Sequence, residues 1–250
     1  MSKPLRAAIV SVMKKKVETK TINVRDPNSF LPANTVSLAY NAAVGLQYLA
    51  VDLFKCTQGP ADSSTLSSQN NRLGDKIQGV GFNMDYYFHT RGYYSISGAS
   101  YFIPFVKVRI LVFKTAYGLT NPTYNTLYNN NFLNGESFTQ HPIDWDEGYV
   151  KEVLHDEVII IRNQYNATGA SIIPNSQLVH NSVYHFKKYI KYDRPIKFMD
   201  NNSSDPNGTD KPIFIAISAE IDDSWVGGIP PSDTPLMTTT GYTQAWFKDA

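Results

Sequence analysis

Apolar and polar residues alternate with a period of two along most of this chain. Val80, Phe82, Met84, Tyr86 and Phe88 take turns with Gly81, Asn83, Asp85, Tyr87 and His89, which predicts a strand with one buried face. Val106, Val108, Ile110 and Val112 interleave with Lys107, Arg109, Leu111 and Phe113 in the same way. Ile213, Ile215, Ile217, Ala219 and Ile221 do so with Phe214, Ala216, Ser218 and Glu220. Segments 17–24, 46–55, 150–162, 183–198 and 238–248 are rich in β-branched and aromatic residues and bring the expected total to eight strands. Phe82, Met84, Ile110 and Ile215 share the apolar parity of their strands and are expected to face the core.

The spacers carry as much information as the strands. Segments 58–71, 117–147, 164–181, 201–210 and 222–235 are rich in Gly, Pro, Asn or Ser, the residues that turns require. Hairpin turns use about two to five residues, so connections this long predict strands that cross between two sheets. The expected fold is all-β: an eight-stranded viral jelly roll of two packed antiparallel four-stranded sheets with long loops. Segment 121–133 has the pattern of a short helix within one of those loops.

Composition sharpens this picture. The 250 residues are 42% hydrophobic and 13% aromatic, enough for a sizeable core, while only 18% are charged, against roughly 25% in an average domain. A charge-poor, aromatic surface suits close packing between proteins and would also suit a sugar-binding sandwich. Cys56 is the single cysteine, so no intrachain disulfide is possible and the thiol is expected to act as a small hydrophobe. No apolar run reaches the roughly 18 residues of a membrane span, so membrane insertion is not expected. Sequons begin at Asn166, Asn201, Asn202 and Asn207; without a secretory leader they read as Asn-rich loops.

Net charge is +1, yet it is unevenly spread: Lys3, Arg6, Lys14, Lys15, Lys16, Lys20 and Arg25 crowd the start, opposed by Glu18 and Asp26. Such blocks serve as nucleic-acid-binding arms or as solvated tails. A second basic surface is expected on the strand at 183–198. One parity carries His185, Lys187, Tyr189 and Lys191, the other Tyr184, Phe186, Lys188 and Ile190. Lysines neutralise phosphates while an aromatic ring stacks a base without sequence preference; lysines also guard exposed strands against edge pairing.

Catalytic signatures are missing: Gly-x-Ser-x-Gly, His-Glu-x-x-His and the Walker loop are all absent. His180 and His185, on or near one strand, have opposite parity and make poor joint ligands, and His155 and Asp156 diverge likewise. Asp144, Asp146, Glu147, Asp222 and Asp223 lack the spacing of a Ca²⁺ loop. The expectation is a non-enzyme with no metal and no cofactor.

Several segments, taken in order, resemble a known family. Val17-Glu18-Thr19-Lys20 follows the basic start, then come Thr57-Gln58-Gly59 and Asn71-Arg72-Leu73-Gly74-Asp75-Lys76-Ile77. Val106-Lys107-Val108-Arg109-Ile110-Leu111-Val112 follows, then Val153-Leu154-His155-Asp156 and Phe186-Lys187-Lys188-Tyr189-Ile190. The succession resembles the capsid (coat) proteins of small circular Rep-encoding single-stranded DNA viruses. The resemblance implies a structural subunit that assembles with itself into a T=1 shell of sixty copies around a single-stranded DNA genome. It also implies location in the virion, with the host nucleus or cytoplasm as the site of assembly, and a host receptor as a further partner. Family members carry a long Arg-rich arm; here it is short and mostly Lys.

On this reading residues 1–16 form a basic arm and 17–250 the jelly roll. Lys3, Arg6, Lys14, Lys15, Lys16, Lys20, Lys187 and Lys191 are the candidate nucleic-acid contacts. A coat protein of a small RNA or satellite virus would share the architecture. A carbohydrate-binding sandwich would need paired carboxylates or an aromatic platform, for which Trp145, Trp225 and Trp246 are available.

Deleting residues 1–16 is expected to leave the strands intact and reduce packaged nucleic acid. Six phosphate contacts would make affinity fall about 10³-fold between about 50 and 200 mM salt, which a filter-binding titration of intact and truncated chains would read.

Overall fold

A computed structural model of the protein describes residues 19–24, 35–39, 46–54, 72, 74–96, 99–115, 150–165, 179–180, 182–198, 209, 211–221 and 235–249. Among them every regular element is a strand: β1 (Thr19–Val24), β2 (Thr35–Ala39), β3 (Leu46–Asp52), β4 (Lys76–Thr90), β5 (Tyr93–Ile96), β6 (Ala99–Phe102), β7 (Phe105–Thr115), β8 (Val150–Arg162), β9 (Gln164–Tyr165), β10 (Val179–His180), β11 (Val183–Lys197), β12 (Ile213–Glu220) and β13 (Pro235–Asp249). The helix expected within 121–133, Cys56, the sequons, Trp145, Trp225, the acidic loop residues and most of the long spacers lie outside the described residues.

One sheet runs β1-β13-β4-β11 and the other β3-β12-β7-β8, with antiparallel pairing throughout. Neighbouring lanes come from distant parts of the chain, and all but one of the links between the principal strands cross from sheet to sheet. This interleaving is the jelly-roll topology. The first sheet holds one strand more than expected, because β13 has 15 residues and β1 only 6. β1 pairs with the 243–248 stretch of β13, and β2 takes the same side of β13 along 235–240. β5 and β6 form a hairpin between β4 and β7, and β9 pairs with β10.

The core fills the space between the sheets. Phe82, Met84, Phe88, Phe186, Ala245 and Phe247 enter from the first sheet and Val108, Ile110, Val112, Ile159, Ile215 and Ile217 from the second. All four residues singled out from sequence parity are buried there. Val80 is not among them. Ile77 and Phe82 are both buried although five positions apart, so strict alternation must slip once between them. The slip is a bulge: pairing with β13 shifts between Trp246 and Phe247, and pairing with β11 between Lys191 and Arg194. Gly79 and Gly81 flank Val80. A Cβ on Gly81 would stand 2.6 Å from the Ile190 carbonyl oxygen, so only glycine admits this approach.

Several of the segments quoted from the sequence act as clamps. Arg109 of β7 is buried, and its Nε and Nη2 donate to the two carboxylate oxygens of Asp156 on β8 at 2.7 and 2.6 Å. The two segments Val108-Arg109-Ile110 and Leu154-His155-Asp156 therefore meet across one pair of strands. Arg72 is buried with its guanidinium 3.9 Å from the Phe198 ring centroid, and the Phe198 N–H donates to the Asp75 carbonyl at 2.9 Å. Gly74 lies between Arg72 and Asp75 with φ +93°, a conformation that favours glycine, so this turn fastens the start of β4 to the end of β11. Asn163 performs a similar task at one end of the sandwich. Its side-chain N–H groups donate to Arg91 and Ile103 carbonyls, and its side-chain oxygen accepts from Thr90 Oγ1 and the Ser182 N–H.

Polar groups also bridge the two sheets where β8 and β11 face each other. Arg194 donates to both Glu152 oxygens at 2.6 and 2.7 Å, and Lys188 Nζ lies 3.7 Å from Glu157. His155 Nε2 lies 3.2 Å from the same Glu157, its ring beside Phe186. Elsewhere in the interior Tyr86 hydrogen-bonds Thr243, and burial pushes its phenol up to about 12.

Ile110→Ala should lower unfolding free energy by about 2–5 kcal/mol, since the cavity cannot collapse between two sheets; a denaturant titration checks it. A pH profile tests the seam. Burial, and next the Lys188 ammonium, hold His155 below its ordinary 6.5 despite the neighbouring Glu157 and Asp156. The unfolded chain therefore binds this proton more readily, so its contribution is present above pH 6.5 and lost as pH falls through 6.5 toward the depressed folded value. His155→Gln should flatten the loss of thermal stability over that acidic window.

Candidate nucleic-acid interface

The outward face of β13, β4 and β11 is the surface to which the sequence assigned Lys187 and Lys191. Register turns it into a grid. Running along the strands, the rows are Thr238–His89–Val183, Thr240–Tyr87–His185, Tyr242–Asp85–Lys187, Gln244–Asn83–Tyr189 and Trp246–Gly81–Lys191. Alternation places these residues on the side opposite Phe82, Met84 and Phe88. Two residues along a strand advance about 6.6–6.8 Å, and lanes lie about 4.8 Å apart.

Aromatic rings dominate this face. Tyr87, Tyr189 and Tyr242 are exposed. Tyr87 and His185 sit directly opposite each other with ring centroids 4.3 Å apart and planes 4° from parallel. The Tyr189 side chain covers Gly81, its hydroxyl 2.6 Å from where a Cβ would be, and its ring centroid lies 5.9 Å from that of Trp246. The glycine required by the bulge thus also makes the seat for an outward-facing ring.

Charge is concentrated on the β11 lane. The Lys187 side chain is 64% exposed with its ammonium 3.6 Å from Asp85. His185 Nε2 lies 2.8 Å from the same carboxylate. Asp85 therefore offsets part of this charge, while Lys191 is exposed two rows further on, opposite Gly81. The chemistry on offer is stacking by upright or tilted rings and pairing with anions by cations on one flank.

The other assigned residues fall elsewhere. Lys3, Arg6, Lys14, Lys15 and Lys16 lie outside the described residues. Lys20 belongs to β1, where it shares parity with the buried Ile22; its side chain is 11% exposed and its ammonium lies 2.6 Å from Asp249. His180 and His185 do not share a strand: the first is in β10 and the second in β11. Of the four inner-parity residues named from sequence on β11, only Phe186 is buried, with Ile190 half-buried and Tyr184 and Lys188 exposed, because β11 is the last lane of its sheet; further along the same parity Tyr192 and Ile196 are buried. Sequence reading placed Tyr189 among the charges but missed Tyr87, Tyr242 and Trp246 as its neighbours. The alternation of Tyr242, Gln244 and Trp246 was the available signal, and only register could join it to β11.

No protein-family model matches the chain, and no curated protein matches it. Among solved structures, the chain is similar to one from the infectious bursal disease virus Gx strain at 9% identity and TM-score 0.32, covering 93% of this chain and 32% of that one. VP1 of trichodysplasia spinulosa-associated polyomavirus in complex with GM1 oligosaccharide aligns at 8% identity and TM-score 0.20, covering 93% and 92%. A second structure of the same VP1 aligns at 8% identity and TM-score 0.17, covering 93% and 94%. This chain thus spans about a third of the first of these structures, and at such identities nothing about activity or partners passes to it.

Proposed function

We propose that the protein is a coat subunit that assembles with itself into a closed icosahedral shell around single-stranded nucleic acid. The observation that carries the reading is the outward face of β13, β4 and β11, where four aromatic side chains and two lysines share a rigid sheet. A folded enzyme would converge titratable groups in a cleft; here rings and cations are spread over a flat surface, as a polymer without sequence readout requires. The jelly roll supports the same reading, since a rigid sandwich with long connections offers separate surfaces for a lining and for contacts between copies. The resemblance in segment order supports single-stranded DNA as the polymer, a T=1 particle of sixty subunits as the shell, and the virion as the protein's location.

The full chain, expressed alone, should give spherical particles in negative-stain images, and strictly monomeric protein across pH and salt would overturn the proposal. Lys187→Glu with Lys191→Glu should leave the sheet folded, as both side chains are exposed. Losing two phosphate contacts should reduce the salt slope of single-strand binding by about 1.4 and lower the nucleic acid recovered per particle. Digestion of the recovered polymer by DNase or RNase decides its chemistry.

A further inference from the structure

β8 is the last described lane of its sheet, and its outward parity reads Asp156, Val158, Ile160, Arg162. All four are exposed, Val158 at 44% and Ile160 at 55%. A row of two aliphatic side chains on an edge strand is an invitation to pair with another chain. The row is also self-complementary: reversed, it sets negative against positive and aliphatic against aliphatic.

Backbone geometry selects the same arrangement. The Asn163 N–H donates to the Pro104 carbonyl at 2.8 Å, and Ile161, Ile159 and Glu157 lie opposite Val106, Val108 and Ile110. In an antiparallel ladder, residues bonded to one neighbour alternate with residues whose N–H and C=O point the other way. Asp156, Val158, Ile160 and Arg162 therefore direct their backbone groups away from β7, where no described strand pairs with them. The Arg162 carbonyl bears this out, since it accepts the Ser182 hydroxyl rather than a β7 amide.

We infer that two copies of this chain join edge to edge through β8, antiparallel about Ile159. Val158 of each copy then lies opposite Ile160 of the other, and Asp156 opposite Arg162. These are the residues whose backbone groups face outward, so each pair exchanges two hydrogen bonds. Shifting the register by one would set groups already bonded to β7 against the edge. Asp156 keeps Arg109 while meeting Arg162, because a carboxylate has about four lone-pair sites and its side chain is 33% exposed. The contact is isologous, the type that closes two-fold pairs, and it deepens the shell reading by naming one of the surfaces through which copies meet.

Single substitutions to cysteine test the register. Directly opposite residues lie about 5.5 Å apart at Cα, within disulfide reach, whereas diagonal residues at roughly 7–8 Å are at or beyond its limit. Val158→Cys and Ile160→Cys chains, each retaining Cys56, should form little covalent dimer above the unsubstituted chain when oxidised alone. Mixed before oxidation, they should give covalent dimers in at least tenfold greater yield. Equal yields alone and mixed, or none in the mixture, would overturn the pairing. Arg162→Glu, which faces Asp156 with a like charge, should weaken association of two copies at least tenfold, and an unchanged dissociation constant would count against it. Imaging separates the two ideas: mixed cross-links without particles uphold the pairing and sink the shell, while particles without mixed cross-links do the reverse.

Discussion

β4 must send side chains into the core along its whole length while serving as an inner lane with partners on both sides. In a strictly alternating strand of 15 residues, Ile77 and Phe82 would face opposite sides. The bulge around Val80 resolves the conflict by resetting parity, so that Ile77 and Phe82 both point inward. Everything on the opposite face inherits that reset. Without it, Asn83, Asp85 and Tyr87 would fall out of phase with either the outer grid or the inner core, and Tyr189 would have a side chain beneath it where Gly81 now provides a seat.

Polar clamps complement this apolar alternation at places where packing alone does not define geometry. Arg109 is too buried to stand without its bidentate Asp156, and breaking such a pair costs more than the pair itself contributes. Asn163 satisfies donors and acceptors from three separate parts of the chain, so it specifies how one end of the sandwich closes. The Arg72 stack on Phe198 does the same for the entry to β4. These interactions give the quoted sequence segments a structural meaning that is independent of any catalytic chemistry.

How far the sequence could be read follows from which contacts are local. Burial of Phe82, Met84, Ile110 and Ile215 was legible because a period of two is written within each strand. Crossing between sheets was legible from four of the five long connections; the longest, 117–147, instead joins β7 to β8 within one sheet, because length permits a crossing without requiring one. Val80 was misassigned because alternation cannot reveal a bulge without both neighbours. The extra strand β2 was missed because only β13, two hundred residues away in the chain, makes room for it. For the candidate site, Lys187, Tyr189 and Lys191 shared one strand and could be seen together. Tyr87, Tyr242 and Trp246 could not, since the grid exists only once register is known. Lys20 looked like part of a charge run because sequence proximity carries no information about its partner Asp249.

The pairing of β1 with β13 has a consequence in time. A chain leaving the ribosome makes its first strand early, but the lane beside it is supplied by the last one. β4 also waits, because β13 fills the gap between β1 and β4. Closure of the sandwich is therefore governed by contacts of long sequence separation, which fold slowly. No nascent chain can offer a completed first sheet, with its outward grid, before synthesis has reached β13. The topology thus acts as a quality gate: truncated products lack the lane that joins β1 to β4, and geometry alone keeps their first sheet from closing.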